Sequence, residues 1–241
     1  MREKGEKARA VFGARAAFYT TSACHADPEV LARVVALAAP QPGWTALDIA
    51  TGTGHTAFAL APHVRAVVAT DITPEMLGEA RALARARGVG NVRLCRADAH
   101  HLPFADHSFN VVASRRAPHH FADIERALRE MRRVLAPGGR LVIDDRSVPE
   151  DDFVDTTMNR LDWYHDESHV WQYRPSAWRA MLEAAGFAVE VVEPYTKHRP
   201  LASLTDGVSP ENAAQIRALL DGLDAAQREA FNLVEHEGTL Y

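Results

Sequence analysis

The sequence is poor in cysteine and in long apolar runs, and each shortage excludes a class of protein. Cys24 and Cys95 are the only cysteines among 241 residues. Two widely spaced thiols provide no disulfide framework, so a reducing, cytoplasmic location is expected. No apolar stretch approaches the roughly 18 residues of a membrane-spanning helix. The charged start of the chain is not followed by an apolar segment, which argues against a secretory signal.

Positive charge is not concentrated in any part of the sequence. The formal net charge is -5, acids and bases are interspersed, and long runs of lysine or arginine are missing. A nucleic-acid partner is therefore not expected. The apolar fraction of 47% is enough for a sizeable core, and the length suits one large domain or a domain with a cap.

What the sequence does contain is an apolar run that ends in a glycine turn. Residues 44–50 have the composition of a buried parallel strand, and Gly52 and Gly54 follow before a helix that starts near Ala57. Glycines permit positive φ and close approach of a ligand to the backbone. The N–H groups at the start of the helix point back at that ligand. This stretch predicts a nucleotide-sized pocket at the carboxyl end of a sheet.

An acid before the glycines indicates which kind of ligand the pocket takes. Asp48 precedes Gly52 by four residues, where it would repel the pyrophosphate of a dinucleotide but suit a ligand that carries positive charge. The segment Leu47–Ala57 resembles the first motif of the class I S-adenosylmethionine-dependent methyltransferases. The resemblance implies that this elbow packs against the amino-acid end of the cofactor. The residues assigned there are Asp48, Ala50, Gly52 and Gly54.

A second acid follows the second expected strand. Asp71 lies nineteen residues after Gly52, close to the interval of about 20 residues expected for a ribose-binding acid. A carboxylate at this position can accept hydrogen bonds from both ribose hydroxyls. The alternative is that Asp71 caps the helix that begins near Pro74, but the spacing favours the ligand role. Ile72 is expected to flank the adenine, and Met76 is assigned to the cofactor pocket.

A third acid follows the third expected strand, residues 92–97. Asp98 and Ala99 match the family position that contacts adenine. The resemblance implies that the carboxylate of Asp98 accepts a hydrogen bond from the exocyclic amine. The backbone N–H of Ala99 would then donate to a ring nitrogen. Together with Asp48 and Asp71, Asp98 is expected to converge on one adenosyl sulfonium.

Two later segments, LPFADHSF at 102–109 and RVLAPGGRLVI at 133–143, are typical of the same family. The resemblance covers roughly residues 40–195 and fits best the type-11 methyltransferases, neighbours of the ubiquinone and menaquinone C-methyltransferases. It implies an α/β fold with a doubly wound, mostly parallel, seven-stranded sheet of the Rossmann-like kind. Residues 187–194 are expected to form the sixth strand, and a last antiparallel strand is expected within 231–241.

The resemblance also implies a domain organisation. Residues 1–39 are expected to form an N-terminal helical lid and the first helix, and residues 40–241 the methyltransferase domain. A substrate cap is expected at about residues 146–175, after the fifth strand. In the lid, Phe18 and Tyr19 either line the pocket or only anchor the helix. Tyr19 is assigned to the cofactor pocket.

Basic side chains follow the fourth expected strand, where this fold brings methyl donor and acceptor together. His119 or His120 is the candidate general base, because the pKa of histidine suits proton transfer at neutral pH. Arg115 and Arg116 could hold an anionic substrate, and Arg115 is also assigned to the cofactor site. Adjacent histidines diverge and chelate poorly, so no metal is expected.

In the cap, His165 and His169 either share a helical face as a ligand pair or belong to a loop whose aromatic residues shape the acceptor pocket. The predicted function is methyl transfer from S-adenosylmethionine, with S-adenosylhomocysteine as product, to a small, aromatic or quinone-like acceptor. The alternatives are a non-catalytic S-adenosylmethionine-binding regulatory or assembly protein and an NAD-dependent oxidoreductase. Either a monomer or a homodimer is compatible with the sequence.

Overall fold

The computed structural model of the chain describes residues 2–196, 200–236 and 239–240. The chain divides into two compact units, Met1–Asp145 and Arg146–Tyr241. The first unit contains the elbow, the three acids and the histidine pair, so it carries nearly all of the residues that the sequence analysis assigns to a site.

The first unit is built around a parallel sheet of five strands in the order β3-β2-β1-β4-β5. The strands are β1 (Thr45–Ile49), β2 (Ala66–Asp71), β3 (Val92–Arg96), β4 (Phe109–Arg115) and β5 (Leu135–Asp144). The chain first winds from β1 outward to β3 and then returns to β4 on the other side of β1. The carboxyl ends of β1 and β4 therefore lie side by side, at the switch point where open α/β sheets bind ligands.

Five helices accompany this sheet. They are α1 (Arg2–Thr21), α2 (Pro28–Ala38), α3 (His55–Leu60), α4 (Pro74–Ala86) and α5 (Ile124–Val134). Helix α2 has an N-cap of the kind that Asp followed by Pro predicts: Asp27 Oδ1 accepts the backbone N–H groups of Glu29 and Val30. Such a cap satisfies backbone donors that the first helical turn leaves unpaired.

The core of the first unit lies between the central strands and the helices. Ala46 of β1, Val67 of β2 and Val111 of β4 are fully buried and pack in one cluster with Val34 of α2 and Leu60 of α3. Strands buried on both faces require continuous apolar runs, which is why the strands were recognisable from composition.

The second unit is mainly helical. Its elements are α6 (Asp152–His165), α7 (Pro175–Ala184), a 3₁₀ helix (Leu201–Thr205), α8 (Pro210–Asp221), α9 (Ala225–Ala230), β6 (Glu235–His236) and β7 (Thr239–Leu240). Leu161, Leu204 and Ile216 form the buried centre of this unit. β6 and β7 pair antiparallel as a separate two-stranded sheet.

The sheet differs from the seven-stranded expectation. Its order contains five strands, and residues 187–194 form no strand. The apolar side chains on which the strand prediction depended are exposed: Val191 is 50% exposed and Val192 is 43% exposed. A strand is stable only where a neighbour satisfies its backbone groups. The last antiparallel strand is reduced to the short β6–β7 pair, and Gly238 and Tyr241 lie outside the described residues.

The glycines and proline of residues 136–139 predict a tight turn, followed by a fifth strand that begins at Arg140. Instead, β5 begins at Leu135 and includes this stretch as an irregularity: the register with β4 shifts between Phe109 and Val111. A Cβ on Gly139 would lie 2.7 Å from the carbonyl oxygen of Asn110. Glycine is required there because the two backbones approach so closely.

Among residues 2–196, 200–236 and 239–240, no helix combines the length and the apolar character that crossing a bilayer requires.

Candidate cofactor and acceptor site

The elbow between β1 and α3 is formed by residues in the left-handed region of φ. Ala50, Gly52 and Gly54 have φ values of 54°, 56° and 96°. A left-handed alanine costs free energy, so the surrounding hydrogen bonds must enforce it. One of them joins the Thr51 N–H to the Thr70 carbonyl at 2.8 Å. The strained turn aims the backbone N–H groups at the carboxyl edge of the sheet.

Gly54 and Gly52 of the elbow are glycine for different structural reasons. A Cβ on Gly54 would lie 2.5 Å from Cζ of Phe58, so Gly54 makes room for the protein's own core. A Cβ on Gly52 would meet no atom within 4 Å. Gly52 therefore borders open space, which is the arrangement a ligand approaching the backbone needs.

Asp48 is buried beneath the elbow. The residue is 1% exposed. Its Oδ2 accepts a 2.5 Å hydrogen bond from Thr51 Oγ1. Oδ1 makes no regular hydrogen bond, although the Ala57 backbone N–H is near enough to help lower the pKa. Burial dominates and raises the pKa of Asp48 to about 7, against the lowering effect of Thr51 and Arg115. Asp48 is thus an acid whose negative charge is poorly compensated inside the protein.

Asp71 links the elbow to the start of α4. Oδ2 accepts the Gly52 N–H at 2.9 Å, and Oδ1 accepts the Thr73 N–H at 2.9 Å. The alternative to ribose binding, in which Asp71 caps α4, is wrong: the N-cap is Thr73, and Asp71 Oδ1 accepts the N–H of that residue. Burial raises the pKa of Asp71, although these backbone hydrogen bonds act in the other direction.

Asp98 is less buried than the other two acids. Its side chain is 43% exposed, and its Oδ1 accepts from the His100 N–H at 2.9 Å and contacts His100 Nδ1 at 2.6 Å. Partial burial would raise the pKa of Asp98, but the hydrogen bonds from His100 outweigh it and lower the pKa. Both contacts fall on one oxygen, so Oδ2 faces away from them.

The remaining predicted cofactor residues lie close to these acids along the chain. Ile72 is half-buried, and its carbonyl accepts from Arg96 Nε at 3.2 Å. Met76 is buried in the first turn of α4, and Ala99 is buried directly after Asp98. Strands β3, β2 and β1 are neighbours in that order, so Asp98, Asp71 and Asp48 stand in sequence at one edge of the sheet.

Helix α1 ends against the elbow side of this edge. The carbonyl of Tyr19 lies 3.3 Å from His55 Nε2, the first residue of α3. The Tyr19 ring packs edge-on against His25 at a centroid distance of 4.9 Å and against Phe12 at 5.9 Å. Phe18, its companion in the sequence prediction, is 65% exposed.

The two arginines after β4 have different environments. The side chain of Arg115 is 5% exposed; Nε donates to Thr56 Oγ1 at 3.0 Å and another guanidinium nitrogen donates to the His25 carbonyl. Arg115 thus ties the α1–α2 connection to α3. Arg116 has a left-handed φ of 52°, and its Nε is buried with no hydrogen-bond partner among the described residues. A buried guanidinium atom without a partner requires an explanation, and a ligand is one.

His119 and His120 lie on the 3₁₀ helix Pro118–His120. Nδ1 of His119 is 2.6 Å from Asp145 Oδ1, and the His119 N–H donates to Asp145 Oδ2 at 2.7 Å. The ring of His120 packs edge-on against Phe12 with centroids 4.8 Å apart. The two histidine rings are close, with centroids 4.0 Å apart.

Two residues of this region were not among the predicted site residues. The sequence places Asp145 at the carboxyl end of the fifth strand, where it can face substrate, but its pairing with His119 depends on the register of β4 and β5. His25 lies in the connection between α1 and α2. Burial, together with the charges of Arg116 and Arg115, lowers the pKa of His25 to about 3. No feature of the local sequence around His25 indicates this position.

The histidines of the expected cap do not form a ligand pair. His165 is the last residue of α6, and its Nδ1 lies 2.8 Å from the Leu204 carbonyl. His169 lies beyond the helix, and its Nε2 lies 2.9 Å from Asn159 Oδ1. Among the described residues, no group of three or more histidine, cysteine, aspartate or glutamate side chains is arranged to hold a metal ion.

Comparison with known proteins agrees with this geometry. A family model described as a methyltransferase domain matches residues 47–143. YcgJ of Bacillus subtilis, an uncharacterized methyltransferase, is 37% identical over 182 residues, which are 76% of this chain and 72% of that protein. The demethylmenaquinone methyltransferase of Thermus thermophilus is 48% identical over 114 residues, 46% of this chain and 51% of that protein.

A solved structure shows the same fold over most of the chain. The crystal structure of Bacillus subtilis YcgJ superimposes with a TM-score of 0.81 at 32% identity, covering 87% of this chain and 93% of that one. The family model spans only the central segment, so the family assignment depends on the match with YcgJ, which covers more than two thirds of both chains. The chain therefore belongs to the class I S-adenosylmethionine-dependent methyltransferases of the type-11 group.

Proposed function

We propose that this chain transfers a methyl group from S-adenosylmethionine to a small-molecule acceptor. The observation that carries the proposal is the open space at Gly52, where a Cβ would meet nothing within 4 Å, beside the Asp71 carboxylate that accepts the Gly52 N–H. An open backbone next to a carboxylate suits a ribose. When bound, S-adenosylmethionine supplies a methyl group on a sulfonium that is already activated for in-line displacement.

The charge of the site fits a cationic ligand. Asp48 has a pKa of about 7 because burial penalises its ionised form. A positive charge nearby would favour that form and lower the pKa. A pyrophosphate would have the opposite effect, so this acid supports S-adenosylmethionine rather than a dinucleotide.

The other two acids retain the hydrogen-bonding capacity that their proposed roles require. A carboxylate offers about four lone-pair sites, and Asp71 uses two of them for the N–H groups of Gly52 and Thr73. The capacity beyond these two hydrogen bonds would serve the ribose hydroxyls. Oδ2 of Asp98 remains for the exocyclic amine of adenine, because both of its contacts with His100 involve Oδ1.

The acceptor side of the proposed site lies at the end of β4. Arg115 is occupied by Thr56 and the His25 carbonyl, so we assign to Arg116 the role of holding an anionic group on the acceptor. Phe12 packs on His120 and on Tyr19, which supplies aromatic surface near the histidines. The name of the Thermus relative states that it methylates demethylmenaquinone. A planar, quinone-like acceptor is therefore our proposal here as well.

Calorimetry with S-adenosylhomocysteine and with NAD⁺ tests the cofactor directly. We expect the wild type to bind S-adenosylhomocysteine and not NAD⁺. Asp71→Asn removes charge and two acceptor sites, and we expect affinity to fall at least tenfold, or about 1.4 kcal/mol. Asp106→Asn is the matched control, because Asp106 is 65% exposed and in a surface ion pair with Arg133. Binding of NAD⁺ instead, or equal affinity in both variants, would overturn the assignment.

A further inference from the structure

The pairing of His119 with Asp145 joins the ends of two neighbouring strands. β4 and β5 run parallel with Arg115 opposite Asp144, so the residues that follow each strand meet at one edge. The side chains of His119 and Asp145 are 6% and 1% exposed. One carboxylate oxygen accepts the His119 backbone N–H, and the other lies 2.6 Å from its Nδ1. One carboxylate thus contacts His119 at two points, the backbone N–H and the imidazole.

We propose that Asp145 is a positioning residue that holds His119 as the Nδ1–H tautomer, so that His119 Nε2 is the general base for an acceptor with a proton to lose. This inference rests on the proposed methyl transfer and names the base and the acceptor class. His119 would be the catalytic residue, because its Nε2 would touch the acceptor. Asp145 acts only through His119.

The tautomer follows from the donors and acceptors of the pair. A backbone N–H can only donate, so it fixes one oxygen of Asp145 as an acceptor. An ionised carboxylate has no proton to give, so Nδ1 must be the donor to the other oxygen. In the neutral imidazole the lone pair then resides on Nε2. When Nε2 takes a proton, the buried carboxylate compensates the new positive charge, as in other histidine–aspartate pairs.

The acceptor class follows from having such a base. An acceptor that attacks through an existing lone pair and carries no dissociable proton needs no base, whereas a phenol, quinol or enol does. In the step, the acceptor forms a bond to the methyl carbon as the sulfur–carbon bond breaks and leaves its electron pair on sulfur. The acceptor's hydroxyl proton goes to Nε2 of His119 and then to solvent.

Other charged and titratable groups face this pair from the elements around it. His120 stacks beside His119 on the same 3₁₀ helix. His25, between α1 and α2, interacts electrostatically with His119 and with Arg115 and Arg116 at the end of β4. Because several ionisable groups lie close to the pair, the tautomer is a more specific readout than the pH dependence of activity.

Nitrogen-15 NMR of the wild-type protein tests the pair without any acceptor. The chain has 12 histidines, so the protein is labelled with ¹⁵N-histidine and His119→Gln assigns the signals. At pH 8 we expect Nδ1 of His119 to show the shift of a protonated nitrogen and Nε2 that of an unprotonated one. The reverse pattern, with the proton on Nε2, would overturn the proposal.

Asp145→Asn sharpens the test because an amide has one acceptor and one donor. Its oxygen must serve the His119 N–H, which leaves its NH₂ group facing Nδ1. Nδ1 then has to accept, and the proton moves to Nε2. We expect the NMR signature to invert in Asp145→Asn and to return in Asp145→Glu. An unchanged tautomer in Asp145→Asn would contradict the positioning role.

Activity with 1,4-naphthoquinol as the probe acceptor links the pair to methyl transfer. We expect kcat to fall at least 100-fold in His119→Gln and Asp145→Asn, with partial recovery in Asp145→Glu and S-adenosylhomocysteine affinity within threefold of the wild type. Glu125→Gln, an exposed control on α5, should keep full activity. Full kcat in both variants would overturn the base. If the wild type did not bind S-adenosylhomocysteine, that result would instead count against the proposed function.

Discussion

The amide of Asn159 in the second unit and the charged groups at the sheet edge of the first unit are both buried, but their hydrogen bonding differs. In the second unit, Asn159 is 2% exposed, and its side-chain amide makes five hydrogen bonds with Asp155, His169 and Gln172. In the first unit, Oδ1 of Asp48 and Nε of Arg116 are buried without regular hydrogen-bond partners. Because unsatisfied buried groups cost stability, the sheet edge of the first unit carries a cost that a bound ligand would offset, whereas the Asn159 amide is satisfied within the protein.

This comparison implies that substitutions in the two regions should separate stability from binding. Changes in the Asn159 network should lower stability and leave ligand affinity intact. Changes at the acids of the sheet edge should lower affinity and leave stability equal or higher.

The largest effect is expected from Asn159→Ala. The substitution strands the partners of all five hydrogen bonds inside the second unit, and each stranded group costs about 1–3 kcal/mol. We expect the free energy of unfolding to fall by about 3 kcal/mol or more, measured by urea denaturation. Gln215→Ala, on the exposed side of α8, should change it by less than about 0.5 kcal/mol. S-adenosylhomocysteine affinity should stay within twofold; a large loss of affinity would break the separation of the two regions.

The next effect concerns Asp48 and the pH dependence of stability. Its pKa rises from 3.8 in the unfolded chain to about 7 in the native protein, so the native state binds more protons between these values. Stability should therefore fall as pH rises from about 4 to 7, by at most about 1.4 kcal/mol per pH unit. Asp48→Asn removes this loss. We expect the variant to melt at a higher temperature than the wild type at pH 8 and to bind S-adenosylmethionine at least tenfold more weakly. A lower melting temperature would contradict the account.

His25 should produce the opposite slope. Its pKa falls from 6.5 to about 3 in the native protein, so the unfolded chain binds more protons and stability is lost as pH falls below 6.5. In the wild type, Asp48 and His25 partly cancel between pH 4 and 6.5. Asp48→Asn should unmask a steep loss on acidification, and Asp48→Asn/His25→Gln should be flatter again. Equal slopes in the single and double variants would show that His25 does not titrate as described.

The smallest effect on stability is expected from Arg116→Gln. Its guanidinium Nε has no partner to lose, so the free energy of unfolding should change by less than about 1 kcal/mol. If Arg116 holds an anionic group on the acceptor, KM for 1,4-dihydroxy-2-naphthoate, a quinol probe that carries a carboxylate, should rise at least tenfold, while S-adenosylhomocysteine affinity stays unchanged. Arg115→Gln is the contrasting variant, because it loses the bonds to Thr56 and His25 and should destabilise the protein. An unchanged KM in Arg116→Gln would remove the acceptor role.

Much of the first unit could be predicted from the sequence because its signals are local. Buried parallel strands are continuous apolar runs, and the distance from Gly52 to Asp71 is a property of one βαβ unit. The prediction of the sixth strand failed for a related reason. Residues 187–194 have a strand-like composition, but composition does not say whether a neighbouring strand is present.

The chemistry at the end of β4 could be predicted only in part. The sequence placed Arg115, Arg116, His119 and His120 together. It did not show how the environment of Arg115 differs from that of Arg116, or that of His119 from that of His120. The left-handed φ of Arg116 arises from tertiary geometry. The pairing of His119 with Asp145 joins residues that are 26 apart in the sequence. The residue types were readable, and their orientations were not.

The most direct test of the account is the number of protons released when S-adenosylmethionine binds. Calorimetry at pH 7 in two buffers of different ionisation enthalpy gives this number for the wild type and for Asp48→Asn. Because a cation beside Asp48 lowers a pKa that starts at about 7, we predict release of a substantial fraction of one proton by the wild type and none from this position in Asp48→Asn. Equal proton release by both proteins, or no binding by the wild type, would contradict the claim that the sheet edge is built for a cationic adenosyl ligand.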